Sequence, residues 1–318
     1  MGYLDRGTWL PDPLGGRTVG GEFIRRESQF RDRVTADGSS GFKAEPGRYH
    51  LYVSLACPWA HRTIIFRKLK RLEGAVSMSV VAPIAAEQGW EFRDEPGCVP
   101  DTVNGARYLH EIYRKAKPDY TGRVTVPVLW DRETRTIVNN ESSEIIRMLN
   151  GEFGACTDDR TDYYPPELRA EIDAMNTVVY ENVNNGVYRC GFATSQEAYG
   201  RAFDRLFAAL DELEARLGRS RYLVGGRITE ADWRLFTTLV RFDAVYFGHF
   251  KCNLRRIADC PNLQGYLREL FQWPGVAETV SIDQIKRHYY GSQRHINPTG
   301  VVPKGPALDF LAPHGRGP

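Results

Sequence analysis

The stretch Ala56-Cys57-Pro58-Trp59-Ala60-His61-Arg62 decides the fold. It follows His50-Leu51-Tyr52-Val53-Ser54, whose Tyr and Val residues favour a β-strand, and it precedes apolar residues at helical spacing over 64–72. Pro58 suits the first turn of a helix, where its missing N–H costs nothing. Cys57 is therefore predicted to lie where a strand ends and a helix begins.

The segments after this junction continue the alternation of strands and helices. The pattern predicts a strand over 76–81, a long interval over 83–122 with one short helix near 108–113, strands over 124–130 and 136–138, and a helix after Asn140. A first β-α-β unit implies a parallel pair with a right-handed crossover. The order β-α-β, long loop, β-hairpin, α is typical of a thioredoxin-like α/β domain.

The remainder of the chain has a different character. Apolar residues follow helical spacing across 165–275, and this half is predicted to be all-helical, with Thr229 and Asp232 forming a capping box at one helix start. The expected domains are an N-terminal extension (1–45), a thioredoxin-like domain (46–155), an all-helical domain (165–290) and a C-terminal tail (291–318). The extension lacks a regular period and is expected to wrap over a core, and the Gly/Pro-rich tail is expected to be non-helical.

Composition excludes several classes of protein. The 318 residues suggest two domains, and 42 Lys+Arg against 40 Asp+Glu leave a net charge of +2, which argues against nucleic-acid binding. No apolar run is long enough to span a membrane, and the N-terminus lacks the apolar region of a secretory signal. The six cysteines form no CxxC pair. We therefore expect free thiols and a cytoplasmic location.

Cys57 carries the sharpest chemical prediction. A thiol at a helix N-terminus faces backbone N–H groups and the positive end of the helix dipole, and both lower its pKa and favour a nucleophilic thiolate. Ala60 stands where a CxxC motif would have its second cysteine, so the resolving thiol must come from elsewhere, most naturally from a small molecule. The competing interpretation is a buried cysteine that only packs in the core.

Two further features point to the same site. In thioredoxin-like folds a cis-proline precedes the third strand, and the residue before it offers its backbone to a peptide-like ligand; Val126-Pro127 fits this pattern. Glu141-Ser142 begins a helix whose N-terminus can bind a carboxylate, while the Glu can bind an ammonium group. Together these groups suit the γ-glutamyl end of glutathione. An ordinary edge-strand proline and simple helix capping by Asn140 or Ser142 are the alternatives.

These features resemble the soluble glutathione transferases, which have a thioredoxin-like domain followed by an all-helical domain. Three longer runs resemble the Xi class, the glutathionyl-hydroquinone reductases. They are Cys57 to Arg62, Asn184-Asn185-Gly186-Val187-Tyr188-Arg189-Cys190-Gly191-Phe192-Ala193, and Lys286 to Ser292 with Ile296 to Gly300. The resemblance covers about residues 1–310.

The resemblance assigns roles to particular residues. It implies that Cys57 is the catalytic cysteine, and that Tyr188 and Tyr289 lie on the substrate side, with Tyr290 an alternative to Tyr289. It implies glutathione contacts at Trp90, Arg123, Val126, Glu141 and Ser142. Each of these residues could instead have a structural role; Trp90, for example, could cover the core.

The resemblance also implies an activity. Glutathione is the expected cosubstrate, with no metal, and the expected substrate is a glutathionyl-hydroquinone that is reduced through a Cys57–glutathione mixed disulfide. A homodimer is expected, and neither nucleic acid nor a membrane is an expected partner. The alternatives are an omega-like thioltransferase or dehydroascorbate reductase, a conventional conjugating transferase, and a non-catalytic binding protein with the same fold. Two phenols near the site favour the hydroquinone reductase.

Overall fold

The computed structural model describes residues 2–12 and 17–317, and these form two compact units. The first unit contains residues 2–12, 26–161 and 283–295. The second contains residues 17–25, 162–282 and 296–317. No helix within the described residues is long and apolar enough to cross a membrane.

The elements are numbered in chain order. The strands are β1 (Gly2–Asp5), β2 (Thr8–Pro11), β3 (Arg17–Val19), β4 (Glu22–Ile24), β5 (Tyr49–Val53), β6 (Val76–Val80), β7 (Gly122–Arg123), β8 (Val128–Asp131) and β9 (Thr136–Asn139). The helices are α1 (Pro58–Leu69), α2 (Leu109–Ala116), α3 (Ser142–Gly151), α4 (Arg169–Val179), α5 (Gly186–Gly191), α6 (Gln196–Leu217), α7 (Glu230–Arg241), α8 (Pro261–Phe271) and α9 (Ile282–Ser292).

A four-stranded mixed sheet with the order β6-β5-β8-β9 forms the centre of the first unit. Strand β5 is parallel to β6, with α1 as the crossover, and antiparallel to β8, while β8 and β9 form a hairpin. All five residues of β5 are buried, as expected for a central strand. Helices α1 and α3 pack against each other, and α2 contacts β9. The predicted thioredoxin-like order is confirmed.

The second unit contains α4 to α8 and the hairpin of β3 and β4. Residues 162–282 contain no strand, as predicted for this helical region. The predicted capping box is present at the start of α7, where the Asp232 carboxylate accepts from the Thr229 backbone N–H at 2.7 Å and from the Thr229 hydroxyl at 3.0 Å. Two π-helical turns, Tyr180–Asn184 and Phe242–Tyr246, continue α4 and α7.

The N-terminal segment is more regular than the sequence analysis predicts. It forms two β-hairpins, and β1 also pairs antiparallel with β7, with Tyr3 opposite Arg123. Arg6 and Gly7, with φ of 46° and 77°, connect β1 to β2, and this left-handed backbone suits a two-residue hairpin turn. The sequence analysis did not detect these strands, because strands of three or four residues are too short to show a clear alternation.

Helix α9 differs from the expected domain organisation. The sequence analysis groups residues up to 290 with the helical domain, whereas 283–295 belong to the first unit. Hydrogen bonds explain this grouping. His288 Nδ1 lies 2.8 Å from the carbonyl oxygen of Pro83, Gln284 Nε2 donates to the carbonyl of Gly97 at 2.7 Å, and the backbone N–H of Ala85 donates to Ser292 Oγ at 3.0 Å.

We expect Gly7→Ala to destabilise the first unit more than Gly105→Ala. Both glycines have a positive φ, which costs an L-residue about 1 kcal/mol. A Cβ at Gly7 would also lie 2.0 Å from the backbone oxygen of Pro118, whereas a Cβ at Gly105 would meet nothing within 4 Å. Chemical denaturation should show a loss of about 2–4 kcal/mol for Gly7→Ala and about 1 kcal/mol for Gly105→Ala. Equal losses would contradict the contact with Pro118.

Candidate functional site

The topology of the mixed sheet brings the predicted site residues of the first unit to one edge. Cys57 follows the carboxyl end of β5. Strand β8 runs antiparallel to β5, so the start of β8, just after Val126, lies at the same edge, and β9 returns to it before Glu141. The carboxyl end of β6, which is parallel to β5, leads into the loop that carries Trp90.

Cys57 is the N-cap residue of α1, with an extended backbone (φ −80°, ψ 123°), and Pro58 occupies the first helical position, as predicted. The Cys57 carbonyl accepts the backbone N–H of His61 at 2.9 Å. The thiol is partly exposed, whereas Ala56 and Ala60 on either side are buried. The cysteine therefore combines the positive end of a helix with access from solvent.

The Val126–Pro127 peptide bond is cis, as predicted. Pro127 lies just before β8 rather than inside it, because β8 begins at Val128. Cys57 Sγ lies 3.6 Å from the carbonyl oxygen of Val126. The predicted nucleophile and the predicted backbone contact are therefore adjacent.

Glu141 and Ser142 begin α3. Glu141 itself is the N-cap, and its carboxylate accepts from the backbone N–H of Ser143 at 3.1 Å. This differs from the alternative in the sequence analysis, which gave capping to Asn140 or Ser142. The other Glu141 oxygen accepts from the Ser28 hydroxyl at 3.2 Å. The site thus has a fixed carboxylate next to a helix N-terminus, an arrangement that can bind an ammonium and a carboxylate group together.

A buried arginine supports Ser142 from behind. Arg62 is only 2% exposed, its guanidinium donates to Ser142 Oγ at 3.4 Å, and it lies 4.6 Å from the centre of the Trp59 ring. A donor on Ser142 Oγ leaves the hydroxyl proton of Ser142 available for an acceptor elsewhere. The sequence analysis gave Arg62 no role, although it lies in the Cys57 to Arg62 run.

Trp90 lies in the loop after β6 and is buried, with its ring stacked on His288 at 4.7 Å between centroids. His288 in turn meets the ring of Tyr289 edge-on at 5.3 Å. Tyr289 is 1% exposed, whereas Tyr290 is half-buried. The sequence analysis assigns His288 no role, and the structure places it between two predicted site residues.

Arg123 belongs to the short strand β7, just upstream of Val126. Its guanidinium donates to the carboxylate of Asp12 at 2.7 Å, and both side chains are about one-quarter exposed or less. Asp12 was missed by the sequence analysis. No local pattern indicates this contact, since the two residues are 111 positions apart.

Tyr188 belongs to α5 in the second unit, where it is 9% exposed. Its ring lies among the aromatic rings of Phe23, Phe192, Tyr246 and Phe250, at centroid distances of 5.4–6.4 Å. The Arg25 guanidinium lies 5.1 Å from the centre of the Tyr188 ring. A cation over the ring face stabilises negative charge on the phenol oxygen.

Three of the other cysteines lie where ionisation of the thiol is disfavoured. Burial and the nearby Glu95 carboxylate raise the pKa of Cys98 to about 11, and burial raises the pKa of Cys156 and of Cys260.

Within residues 2–12 and 17–317, no group of three His, Cys, Asp or Glu side chains is arranged to hold a metal ion.

Residues 56–152 match the glutathione S-transferase N-terminal domain, and residues 196–269 match the C-terminal domain. The chain is 54% identical to glutathionyl-hydroquinone reductase YqjG of Escherichia coli strain K12, over 99% of this chain and 98% of that protein. The glutathione-bound structure of YqjG superposes with a TM-score of 0.92 at 52% identity, covering 99% of both chains. The Xi-class transferase of Natrialba magadii superposes with a TM-score of 0.93 at 50% identity, covering 99% of this chain and 96% of that one. The chain therefore belongs to the glutathione S-transferase family and, within it, to the Xi class of glutathionyl-hydroquinone reductases.

Proposed function

We propose that this protein is a glutathione-dependent reductase of glutathionyl-hydroquinones, with Cys57 as the nucleophile. The observation that carries the proposal is the position of Cys57 Sγ at the N-terminus of α1, 3.6 Å from the carbonyl oxygen of Val126. Ala60 occupies the place of a second cysteine, so no CxxC partner can resolve a disulfide on Cys57, and in this proposal a second glutathione does so.

Glutathione is a tripeptide with an ammonium group, two carboxylates and one thiol. In the proposed complex, its γ-glutamyl ammonium pairs with the Glu141 carboxylate, and the adjacent carboxylate binds at the N-terminus of α3 beside Ser142. Its backbone pairs with that of Val126, and Arg123 and Trp90 contact the rest of the molecule. Anchoring both ends holds the glutathione sulfur near Cys57 Sγ.

The first chemical step is attack of the Cys57 thiolate on the glutathione sulfur of the conjugate. The new S–S bond forms as the bond between sulfur and the aromatic carbon breaks, and that carbon takes a proton. The products are a hydroquinone and a Cys57–glutathione mixed disulfide. A second glutathione thiolate attacks the mixed disulfide, releases oxidised glutathione and returns Cys57 to the thiolate.

The two tyrosines are proposed to act on the quinol. Cleavage of the carbon–sulfur bond puts negative charge on the ring, and a phenol O–H that donates to a quinol oxygen stabilises this charge. We assign this role to Tyr289 and to Tyr188, on the strength of their sequence runs.

We also propose that the protein is a homodimer and that it is located in the cytoplasm. All six cysteines, which lie within the described residues, are thiols, as expected in a reducing compartment. The dimer rests on the resemblance to the soluble transferases.

We expect Cys57 to be alkylated by iodoacetamide at lower pH than Cys98. The N-terminus of α1 stabilises the Cys57 thiolate, whereas the pKa of Cys98 is raised to about 11, so at neutral pH Cys98 remains a thiol. Peptide mass spectrometry across pH 5–10 measures both rates, and Cys156 serves as an internal control. A Cys57 rate no faster than that of Cys98 at pH 7 would contradict the nucleophile assignment.

We expect Cys57→Ser to lower hydroquinone release from a glutathionyl-hydroquinone by roughly a thousand-fold or more, because a serine hydroxyl does not form the mixed disulfide. Chromatography with excess glutathione measures the release, and Cys98→Ser is the matched control that should retain activity. If the parent protein releases no hydroquinone but reduces dehydroascorbate or a glutathione mixed disulfide, the omega-like alternative holds and the tyrosine assignments are wrong.

We expect Tyr289→Phe to lower kcat for hydroquinone release by about 100-fold, as the loss of one donor to a developing negative charge does elsewhere. The KM for glutathione and the alkylation rate of Cys57 should stay unchanged. Tyr290→Phe is the neighbouring control and should leave kcat unchanged. If Tyr290→Phe lowers kcat and Tyr289→Phe does not, the assignment moves to Tyr290. Tyr188→Phe should resemble Tyr289→Phe; unchanged kcat in both would remove the phenols from the mechanism.

A further inference from the structure

The strand that carries Arg123 is paired with the start of the chain. Residues 2–12, here called the N-terminal hairpin, comprise β1, its turn and β2, and end at Asp12. Together with β7 they form a three-stranded antiparallel sheet with the order β2-β1-β7. The antiparallel pairing of Tyr3 with Arg123 therefore fixes the main chain of Arg123 against the hairpin.

The turn of the hairpin is docked just upstream of β7. The backbone N–H of Gly7 donates to the carbonyl of Tyr120 at 3.0 Å, and the backbone N–H of Arg6 donates to Thr121 Oγ1 at 2.8 Å. The approach at Gly7 leaves no space for a Cβ beside Pro118. These contacts tie the hairpin to the segment that leads into Arg123.

The side chain of Arg123 is bound by the end of the same hairpin. Its Nη1 lies 2.7 Å from Asp12 Oδ2, and the two side chains are 25% and 20% exposed. An arginine side chain has many rotamers, and an ion pair of this geometry restricts them. The restriction is present before any ligand arrives, so it lowers the entropy lost when the guanidinium binds a carboxylate.

A second contact links the hairpin to the loop that carries Trp90. The Trp9 ring stacks on His110 at 4.7 Å, and Trp9 Nε1 donates to the carbonyl of Glu87 at 2.9 Å. A Cβ at Gly89 would lie 2.8 Å from the Trp9 ring, so this tryptophan packs directly against the residue before Trp90. The hairpin therefore contacts the segments that carry Arg123 and Trp90, which are both proposed to bind glutathione.

We propose that Asp12, at the end of the N-terminal hairpin, is the positioning residue for Arg123 in the glutathione site. This inference rests on the proposed function, because it takes Arg123 as a contact for a glutathione carboxylate. Asp12 acts by accepting a hydrogen bond from the guanidinium and not by its negative charge, which opposes the approach of a second carboxylate. Loss of the hydrogen-bond acceptor at position 12 should therefore weaken glutathione binding more than loss of the negative charge alone.

The test measures the Kd for glutathione by titration calorimetry in the Cys57→Ser background, where no disulfide can form on residue 57. Asp12→Ala should raise the Kd about five- to ten-fold, because Arg123 must then be ordered on binding. Asp12→Asn retains an acceptor of similar shape and should stay within about two-fold of the background. Thr8→Ala, an exposed position on the same hairpin, is the matched control and should leave the Kd unchanged.

A double variant separates positioning from general damage to the fold. If Asp12 acts through Arg123, Asp12→Ala should add nothing to the Kd of Arg123→Ala. The inference is overturned if Asp12→Ala binds glutathione as tightly as the background, if Asp12→Asn weakens binding as much as Asp12→Ala, or if the two effects add. Thermal unfolding shows whether each variant still folds. If Asp12→Ala does not fold, the Kd of Asp12→Asn for glutathione is compared with that of Thr8→Ala instead.

Failure of this inference can be distinguished from failure of the proposed reductase activity. A protein that binds glutathione with this dependence on Asp12 but releases no hydroquinone would contradict the reductase and leave the inference standing. A background variant that binds no glutathione at all would overturn the inference together with the assignment of Arg123.

Discussion

The antiparallel pairing of β5 with β8 is the constraint on which the rest of the site depends. Tyr52 lies opposite Val128, so the carboxyl end of β5 and the start of β8 share one edge of the sheet. Cys57 and Val126 are a few residues beyond these positions, and their adjacency follows from the register. A shift by one residue would turn every buried side chain of β5 to the opposite face of the sheet.

The same edge concentrates positive electrostatic potential. Helices α1 and α3 both begin there, and the N-terminus of a helix carries a partial positive charge. The buried guanidinium of Arg62 adds a full positive charge behind Ser142. The Glu141 carboxylate carries the opposite charge, and it is fixed by hydrogen bonds from Ser143 and Ser28. A zwitterionic peptide end therefore meets complementary charges that are already in place.

The sequence predicts the local features of this site well. The strand ending before Cys57, Pro58 in the first helical turn, the proline before β8 and the capping box at Thr229 each depend on residues close together in the chain, where propensity and spacing are informative. The contacts missed are between distant residues. Asp12 with Arg123, and His288 with Trp90, join segments separated by 111 and 198 positions, and no periodic pattern encodes such pairs. The N-terminal hairpins were missed for a different reason, since their strands are too short for the alternation to be recognised.

Two segments far apart in sequence therefore support the long interval between β6 and β7. The N-terminal hairpin packs against it at Gly89 and His110, and α9 hydrogen-bonds to it at Pro83 and Gly97. The interval has only one short helix of its own, so its conformation depends on these two partners. Because α9 also carries Tyr289, the helix that holds the Trp90 loop is the one that bears a proposed quinol contact. A displacement of α9 would move Trp90 and Tyr289 together, through the stacked ring of His288. The glutathione and quinol sides of the proposed site are thus mechanically linked within the first unit.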